Sequence, residues 1–200
     1  MKILFATGNQ SKIKRFFKEL SDNGIELLSL NDINVNIDIE ENGKDAIENA
    51  IIKAMAYYKE TGMITMAMDD TLYLEGIPDK LQPGTHVRRV NGKKLNDEEM
   101  IEHYTKLAKK YGVDGKITAR WIYGIALIKD NKINTYTWSK DDFYITDKRN
   151  DKLEKGYPLN SISINKKLNK YFTDITEEDK KIINQEETDV IEFIKNSIGE

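Results

Sequence analysis

Residues 2–12 run Lys2-Ile3-Leu4-Phe5-Ala6-Thr7-Gly8-Asn9-Gln10-Ser11-Lys12. Lys2–Ala6 is short and apolar, the size and character of a buried strand. Thr7–Gln10 is turn chemistry, Ser11 has the side chain of a helix N-cap, and Gly24 stands where a left-handed residue closes such a helix. Strand, glycine turn and helix together open an α/β unit. Gly8 lets backbone approach a ligand closely, and the helix N-terminus offers unpaired N–H groups and a positive dipole end. Lys12, in the first turn, reaches the same anion. A phosphate seat and an ordinary strand–helix turn with a solvated lysine both fit this spacing. Short glycine turns are common, so spacing alone favours the plainer account.

Working outward, Ile25–Leu30 is the next strand, and Asn31–Ile39 alternates Val/Ile with Asn/Asp as a loop or edge strand. The clearest helix covers about Asp45 to Glu60, with Ala46, Ile47, Ala50, Ile51, Ala54 and Met55 on one apolar face. Asn42 with Asp45 resembles a capping box at its start. Ile64–Met68 is a second buried strand that runs into Asp69-Asp70. Gly76–Gly92 reads as a long functional loop, and Asn96–Tyr111 is a helix ending before Gly112. Ile117–Lys129 and Lys132–Ser139 form a hairpin turning at Asp130-Asn131, with Asp141–Thr146 as a third antiparallel strand. Glu177–Ile198 is mostly a terminal helix. This pattern predicts one domain over residues 1–200: a mixed sheet with a second lobe containing the hairpin region 117–146, and an active site in the cleft between lobes.

Composition excludes several classes. The chain has no cysteine, so disulfides, thiolate metal sites and a cysteine nucleophile are ruled out. It has two histidines, so any metal falls to carboxylates, which points to Mg²⁺, with Mn²⁺ as the variant. A net charge of −3 gives no basic field for nucleic acid. No apolar run is long enough to span a bilayer, and Met1 leads directly into a strand-sized segment, so the expectation is a cytoplasmic protein without a membrane partner.

The remaining chemistry-bearing residues have two accounts each. Adjacent acids after a buried strand cost desolvation and repulsion unless cations compensate, so Asp69-Asp70 suits a metal-bridged phosphate as well as an Asp-rich turn. Alternation along a strand predicts that only one of the two enters the cleft. Glu40-Glu41 precede the second helix, where its dipole already favours a carboxylate. Asn49 and Lys53 share a helix face at the margin of the apolar stripe, and Lys53 viewed alone is best explained as snorkelling to solvent. Pro83-Gly84-Thr85-His86-Val87-Arg88-Arg89 puts two guanidiniums in a loop, for phosphate or for solvent.

Taken in order, these pieces resemble the Ham1/inosine triphosphatase family: Thr7-Gly8-Asn9…Lys12, Glu40-Glu41-Asn42-Gly43, Glu48-Asn49-Ala50…Lys53-Ala54, Asp69-Asp70 and Pro83-Gly84…Arg89. The combination is specific although no single piece is, and it covers nearly the whole chain. The resemblance implies a two-lobed (anticodon-binding-like) α/β fold and a homodimer. It implies Mg²⁺-dependent cleavage of nucleoside triphosphates to monophosphate and pyrophosphate, with deaminated purines preferred. It also implies that Thr7, Gly8, Asn9, Lys12, Lys53, Thr71, Arg89, Tyr157 and Lys180 bind substrate. Glu41 and Asp70 are then metal ligands, and Asp70 orients or deprotonates the attacking water.

Departures from the family pattern concern the base. Ser-Gly after the acid pair is Thr71-Leu72 here, which keeps a hydroxyl and loses a permissive backbone. The acid that usually follows the first lysine is Arg15. The FGYDP motif reads Lys155-Gly156-Tyr157-Pro158-Leu159, and the SHR motif reads Asn184-Gln185-Glu186. Donors that read a purine carbonyl have become neutral or acidic, which predicts altered base specificity. The alternatives are a non-catalytic nucleotide-binding or regulatory protein that kept the fold, and a structural α/β protein without a nucleotide site.

Overall fold

The computed structural model describes residues 1–183 and 188–199, and of Ser11 the backbone only. Its centre is a seven-stranded mixed sheet in the order β2-β1-β3-β6-β7-β8-β9. These strands are β1 (Lys2–Phe5), β2 (Glu26–Ser29), β3 (Thr65–Leu74), β6 (Lys116–Lys129), β7 (Lys132–Thr146), β8 (Ser163–Asn165) and β9 (Lys170–Tyr171). β4 (Arg89–Val90) and β5 (Lys93–Lys94) form a separate hairpin. The helices are α1 (Gln10–Asp22), α2 (Leu30–Ile33), α3 (Ala46–Thr61), α4 (Asp97–Tyr111), α5 (Glu177–Ile183) and α6 (Thr188–Ile198). The mixed α/β class is therefore as predicted.

The chain divides into two compact units. The first comprises Met1–Asp70, Tyr123–Trp138 and α6. Here β1 pairs in parallel with β2 and β3, and strand alternation assigns side chains to two faces. Ile3, Phe5, Leu27, Met66, Met68, Ile125 and Leu127 face a core with Ile13, Phe16 and Leu20 of α1 and Val190, Ile191 and Ile194 of α6. Leu4, Ala6, Ala67, Ala126 and Ile128 face the opposite way, against Ala50, Ala54 and Tyr57 of α3. Small residues on that face draw the helix close. At Gly124 a Cβ would lie 2.6 Å from the backbone nitrogen of Ile47, so only glycine fits beneath the first turn of α3.

The second unit comprises Thr71–Ile122 and the chain from Ser139 through α5. Its core gathers Leu72 and Leu74 of β3, Met100, Ile101, Tyr104 and Leu107 of α4, and Phe143 and Ile145 of β7. The buried Tyr104 hydroxyl donates to the Val87 carbonyl at 2.8 Å, and burial pushes its pKa well above the ordinary tyrosine range.

Several elements differ from expectation. α1 begins at Gln10, so Ser11 lies inside its first turn and Asn9, whose carbonyl accepts from Ile13 N–H at 3.3 Å, precedes it. Gly24 closes α1 as predicted: Gly24 N–H donates to Ser21 and Ile25 N–H to Leu20, with Gly24 at φ 73°. Leu30 starts a short capped helix instead of ending a strand, because Ser29 and Asp32 form a capping box. α3 is capped by Asp45 itself, whose side chain accepts from Glu48 N–H, so the Asn42/Asp45 box is not formed. The Asp130-Asn131 turn is confirmed, both residues having positive φ (51° and 60°), but β7 continues unbroken through 141–146. The loop 76–92 contains a 3₁₀ turn at Asp79–Leu81 and ends in the β4–β5 hairpin, whose Asn91-Gly92 turn also has positive φ. The C-terminal helix is two helices. Residues 184–187 between them, including the Asn184-Gln185-Glu186 motif, lie outside the described residues.

Candidate active site

β3 does not end at the acid pair. It runs on through Thr71, Leu72, Tyr73 and Leu74, all strand formers, so Asp69 and Asp70 lie mid-strand. They nonetheless lie beyond the pairing with β1, which stops at Phe5 opposite Met66. The Thr7-Gly8-Asn9 loop leaves β1 at the same end, with Ala6 N–H still donating to Met66 at 2.8 Å. Loop and acids therefore emerge together past the carboxyl ends of two parallel strands, where open α/β sheets place their ligands.

Two lysines converge there from opposite faces. Met66 and Met68 face α1 while Ala67 faces α3, so alternation turns Asp70 toward α1 and Asp69 toward α3. Lys12, on α1, pairs closely with Asp70. Its ammonium also lies 3.8 Å from Asp69 Oδ1 and 3.5 Å from the Met68 carbonyl. One cation thus straddles both acids, where the sequence predicted that only one would point into the site. Lys53, on α3, pairs with Glu41 at 2.9 Å. Both lysine side chains are largely buried, at 18% and 14% exposure, so their charges are held and not solvated.

Asp69 lies at the electrostatic centre. Burial pushes its carboxyl above the ordinary range, Lys53 and then Lys12 pull it back, and Asp70 and Glu41 push it up. Two ion-paired groups, Lys12 with Asp69 and Asp70, and Lys53 with Glu41, thus act on the same buried carboxyl.

The loop is organised locally. Thr7 is buried, and its hydroxyl accepts the Asn9 N–H at 3.1 Å. Gly8 is exposed, its φ is not positive, and a Cβ there would meet nothing within 4 Å among the described residues. The fold itself does not demand glycine at this position. Thr71 is 2% exposed, and its Oγ1 has no hydrogen-bond partner among the described residues. The backbone of Leu72 needs no special freedom: it is regular strand, bridged to Gly84 by two hydrogen bonds of 3.0 and 3.1 Å.

Three predicted ligands belong to the second unit. Arg89 is exposed in β4, Tyr157 is half-buried before a 3₁₀ turn, and Lys180 pairs with Glu177 at 2.6 Å. Asp97 ties two of their segments together, accepting from Arg88 at 2.7 Å and from Gly156 N–H at 3.2 Å. Sequence reasoning missed Asp97, which looks like any acid in a helix's first turn. It also missed the work of Asn49. This side chain is 2% exposed, and its Oδ1 accepts the Gly43 N–H at 2.8 Å. The available signal was a polar residue at a helix position otherwise lined by alanine. Arg15 lies 4.6 Å from the Tyr123 ring centre and 5.5 Å from that of Trp138, a cation–π arrangement.

The donor set suits a hard divalent cation. No group of three or more His, Asp or Glu side chains converges as a metal site among the described residues. Mg²⁺ does not require one, since it is usually held by one or two carboxylates together with substrate phosphates.

Fold and site define a mixed-sheet α/β protein with a lysine–carboxylate cluster at the carboxyl edge of its parallel strands. The Ham1 family model matches residues 3–194, and the chain belongs to that family. A Vibrio parahaemolyticus protein named dITP/XTP pyrophosphatase is 38% identical over 129 residues, a match covering 64% of this chain and 62% of that one. A Christiangramia forsetii protein of the same name is 39% identical over 137 residues, covering 68% and 69%. The Staphylococcus aureus Ham1 protein structure superposes with a TM-score of 0.69 at 26% identity, covering 90% of this chain and 89% of that one. Among the described residues, no helix is long and apolar enough to cross a membrane.

Proposed function

We propose that this chain hydrolyses nucleoside triphosphates to monophosphate and pyrophosphate with Mg²⁺, as a cytoplasmic homodimer of altered base specificity. The observation that carries the reading is the five-charge cluster beside the Thr7-Gly8-Asn9 loop. The names of the Vibrio and Christiangramia relatives support the same reaction.

In this reading the loop amides, the helix N-terminus, Lys12 and Lys53 take the phosphate oxygens, exchanging their present carboxylate partners for phosphate. Gly8 supports it, because the chain itself does not require glycine there. The Thr71 hydroxyl, buried and unpartnered among the described residues, is a further donor. Glu41 and Asp70 would hold Mg²⁺, which supplies charge neutralisation at the phosphate oxygens. Asp70 orients the attacking water and takes its proton. Water adds to the α-phosphorus, the bond to the bridging oxygen breaks, and pyrophosphate leaves with that oxygen. Positioning and charge neutralisation carry such a displacement. Arg89, Tyr157 and Lys180 are further substrate-binding residues in this reading, carried by the family resemblance. Lys155 in place of the stacking Phe motivates the altered base preference.

The test is a panel of nucleoside and deoxynucleoside triphosphates with Mg²⁺, assayed for pyrophosphate. Turnover of at least one member, abolished by Asp70→Asn, is expected. Binding without turnover would instead support the non-catalytic nucleotide-binding alternative.

A further inference from the structure

We infer that Asn49 is a positioning residue for Glu41, acting through the backbone of Gly43; the inference rests on the reading of Glu41 as a metal ligand. Glu41 lies in an irregular segment ahead of α3, at 42% side-chain exposure, where nothing in regular secondary structure fixes it. What fixes it is the first turn of α3. Gly43 N–H donates to Asn49 Oδ1 at 2.8 Å, and Lys44 N–H donates to Glu48 Oε2 at 2.8 Å. Upstream, Asn42 N–H donates to the Glu40 carbonyl at 3.1 Å and tightens the chain around Glu41. Lys53, one turn beyond Asn49 on the same helix face, then holds the carboxylate.

The fit at Gly43 is specific. A Cβ there would fall 2.6 Å from Asn49 Oδ1 and 2.7 Å from Asn49 N, so the loop approaches the helix as closely as backbone allows. Packing alone does not account for an amide at position 49, since a buried polar side chain costs free energy unless it is hydrogen-bonded. Neighbouring Ala50 and Ala54 show what α3 uses where it only packs. Groups that orient a ligating carboxylate without touching the metal set its affinity, and their loss typically costs about 10–100-fold.

The experiment titrates Mn²⁺ against the full chain in the presence of saturating inorganic pyrophosphate by electron paramagnetic resonance, for wild type, Glu41→Gln, Asn49→Ala and the double variant, with a thermal melt of each. Asn49→Ala is expected to weaken Mn²⁺ binding about tenfold while the protein remains folded at the assay temperature. In the Glu41→Gln background it is expected to add nothing, which a merely structural role would not produce. Gly43→Ala breaks the same link from the loop side and replaces Asn49→Ala if that variant does not fold. Wild-type affinity in Asn49→Ala, or an equal loss with and without Glu41, overturns the inference. Unchanged affinity in Glu41→Gln overturns the metal reading itself, and the inference with it.

Discussion

Thr71→Val separates the cost of the site from its use. Thr71 is 2% exposed, and its hydroxyl has no partner among the described residues. A buried unsatisfied hydroxyl costs about 1–3 kcal/mol. Valine keeps the shape and the strand preference while removing the polar atom. The variant should therefore gain about 1–2 kcal/mol. For a chain of this length that is a rise in Tm of roughly 2–8 °C. Activity should move the other way. A hydrogen bond to a charged phosphate is worth about 1.5–3 kcal/mol, so kcat/KM should fall roughly 10–100-fold. Thr71→Ser retains the hydroxyl and should retain most activity. Calorimetric melting and steady-state pyrophosphate release on one substrate measure both effects. A lower Tm, or a kcat/KM within about a factor of two of wild type, would refute the reasoning, because the hydroxyl would then be neither unsatisfied at rest nor used by substrate.

Other consequences are read similarly. Gly8→Ala should leave Tm unchanged, since a Cβ there meets nothing within 4 Å, yet weaken nucleotide binding; unaltered affinity would remove Gly8 from the phosphate seat. Gly124→Ala should destabilise by about 1–3 kcal/mol, because its Cβ would lie 2.6 Å from backbone; a melt within a degree of wild type contradicts that packing. The Asp97 carboxyl is held below its ordinary range by the Arg88 guanidinium and then by Gly156 N–H. Its contribution is thus present above the unfolded value near 3.9 and is lost as pH falls through the lower folded value. Asp97→Asn should flatten the acid limb of the stability–pH curve, and an unaltered limb would count against the link. Pyrophosphate should bind more tightly with Mg²⁺ than without, and Lys53→Met should shrink the difference; calorimetry giving equal affinities would exclude the coupling.

Legibility from sequence followed the range of the forces involved. β1, α1 and α3 were readable because their apolar spacing and the closing Gly24 turn lie within a few residues, although the N-caps expected for both helices were misplaced. The Asp130-Asn131 turn was readable because two positive-φ positions demand those residue types. β3 was shortened because Asp69-Asp70 looks like the end of an apolar run. The strand continues because Leu72 and Leu74 enter a second core that local pattern does not announce. The acids are tolerated mid-strand because Lys12 and Lys53 arrive from opposite faces, a fact held in contacts between residues far apart in the chain. Only the order of motifs brought those residues together beforehand. Asn49 was noticed for the face it shares with Lys53 and not for its bond to Gly43. A side-chain bond to a loop backbone leaves no periodic trace.

The resting cluster also constrains the form in which substrate is taken up. Each carboxylate assigned to metal is already paired with a lysine assigned to phosphate: Glu41 with Lys53, and Asp70 with Lys12. A cation arriving alone must compete with two held ammonium groups, and an anion arriving alone must leave both carboxylates unpaired, Asp70 in a partly buried position. Both routes incur the penalty of a charge stripped of its partner. With the proposed roles, a metal–triphosphate complex would avoid it, because Glu41 and Asp70 would hold the cation and Lys12 and Lys53 the phosphates, so that every charge would keep a counterion. The two affinities are therefore linked, and linkage is reciprocal. The raised Asp69 carboxyl fits this arrangement. Lys53 and Lys12 offset its burial at rest, so drawing those lysines to phosphate would leave its charge to be neutralised by a nearby cation or by a proton.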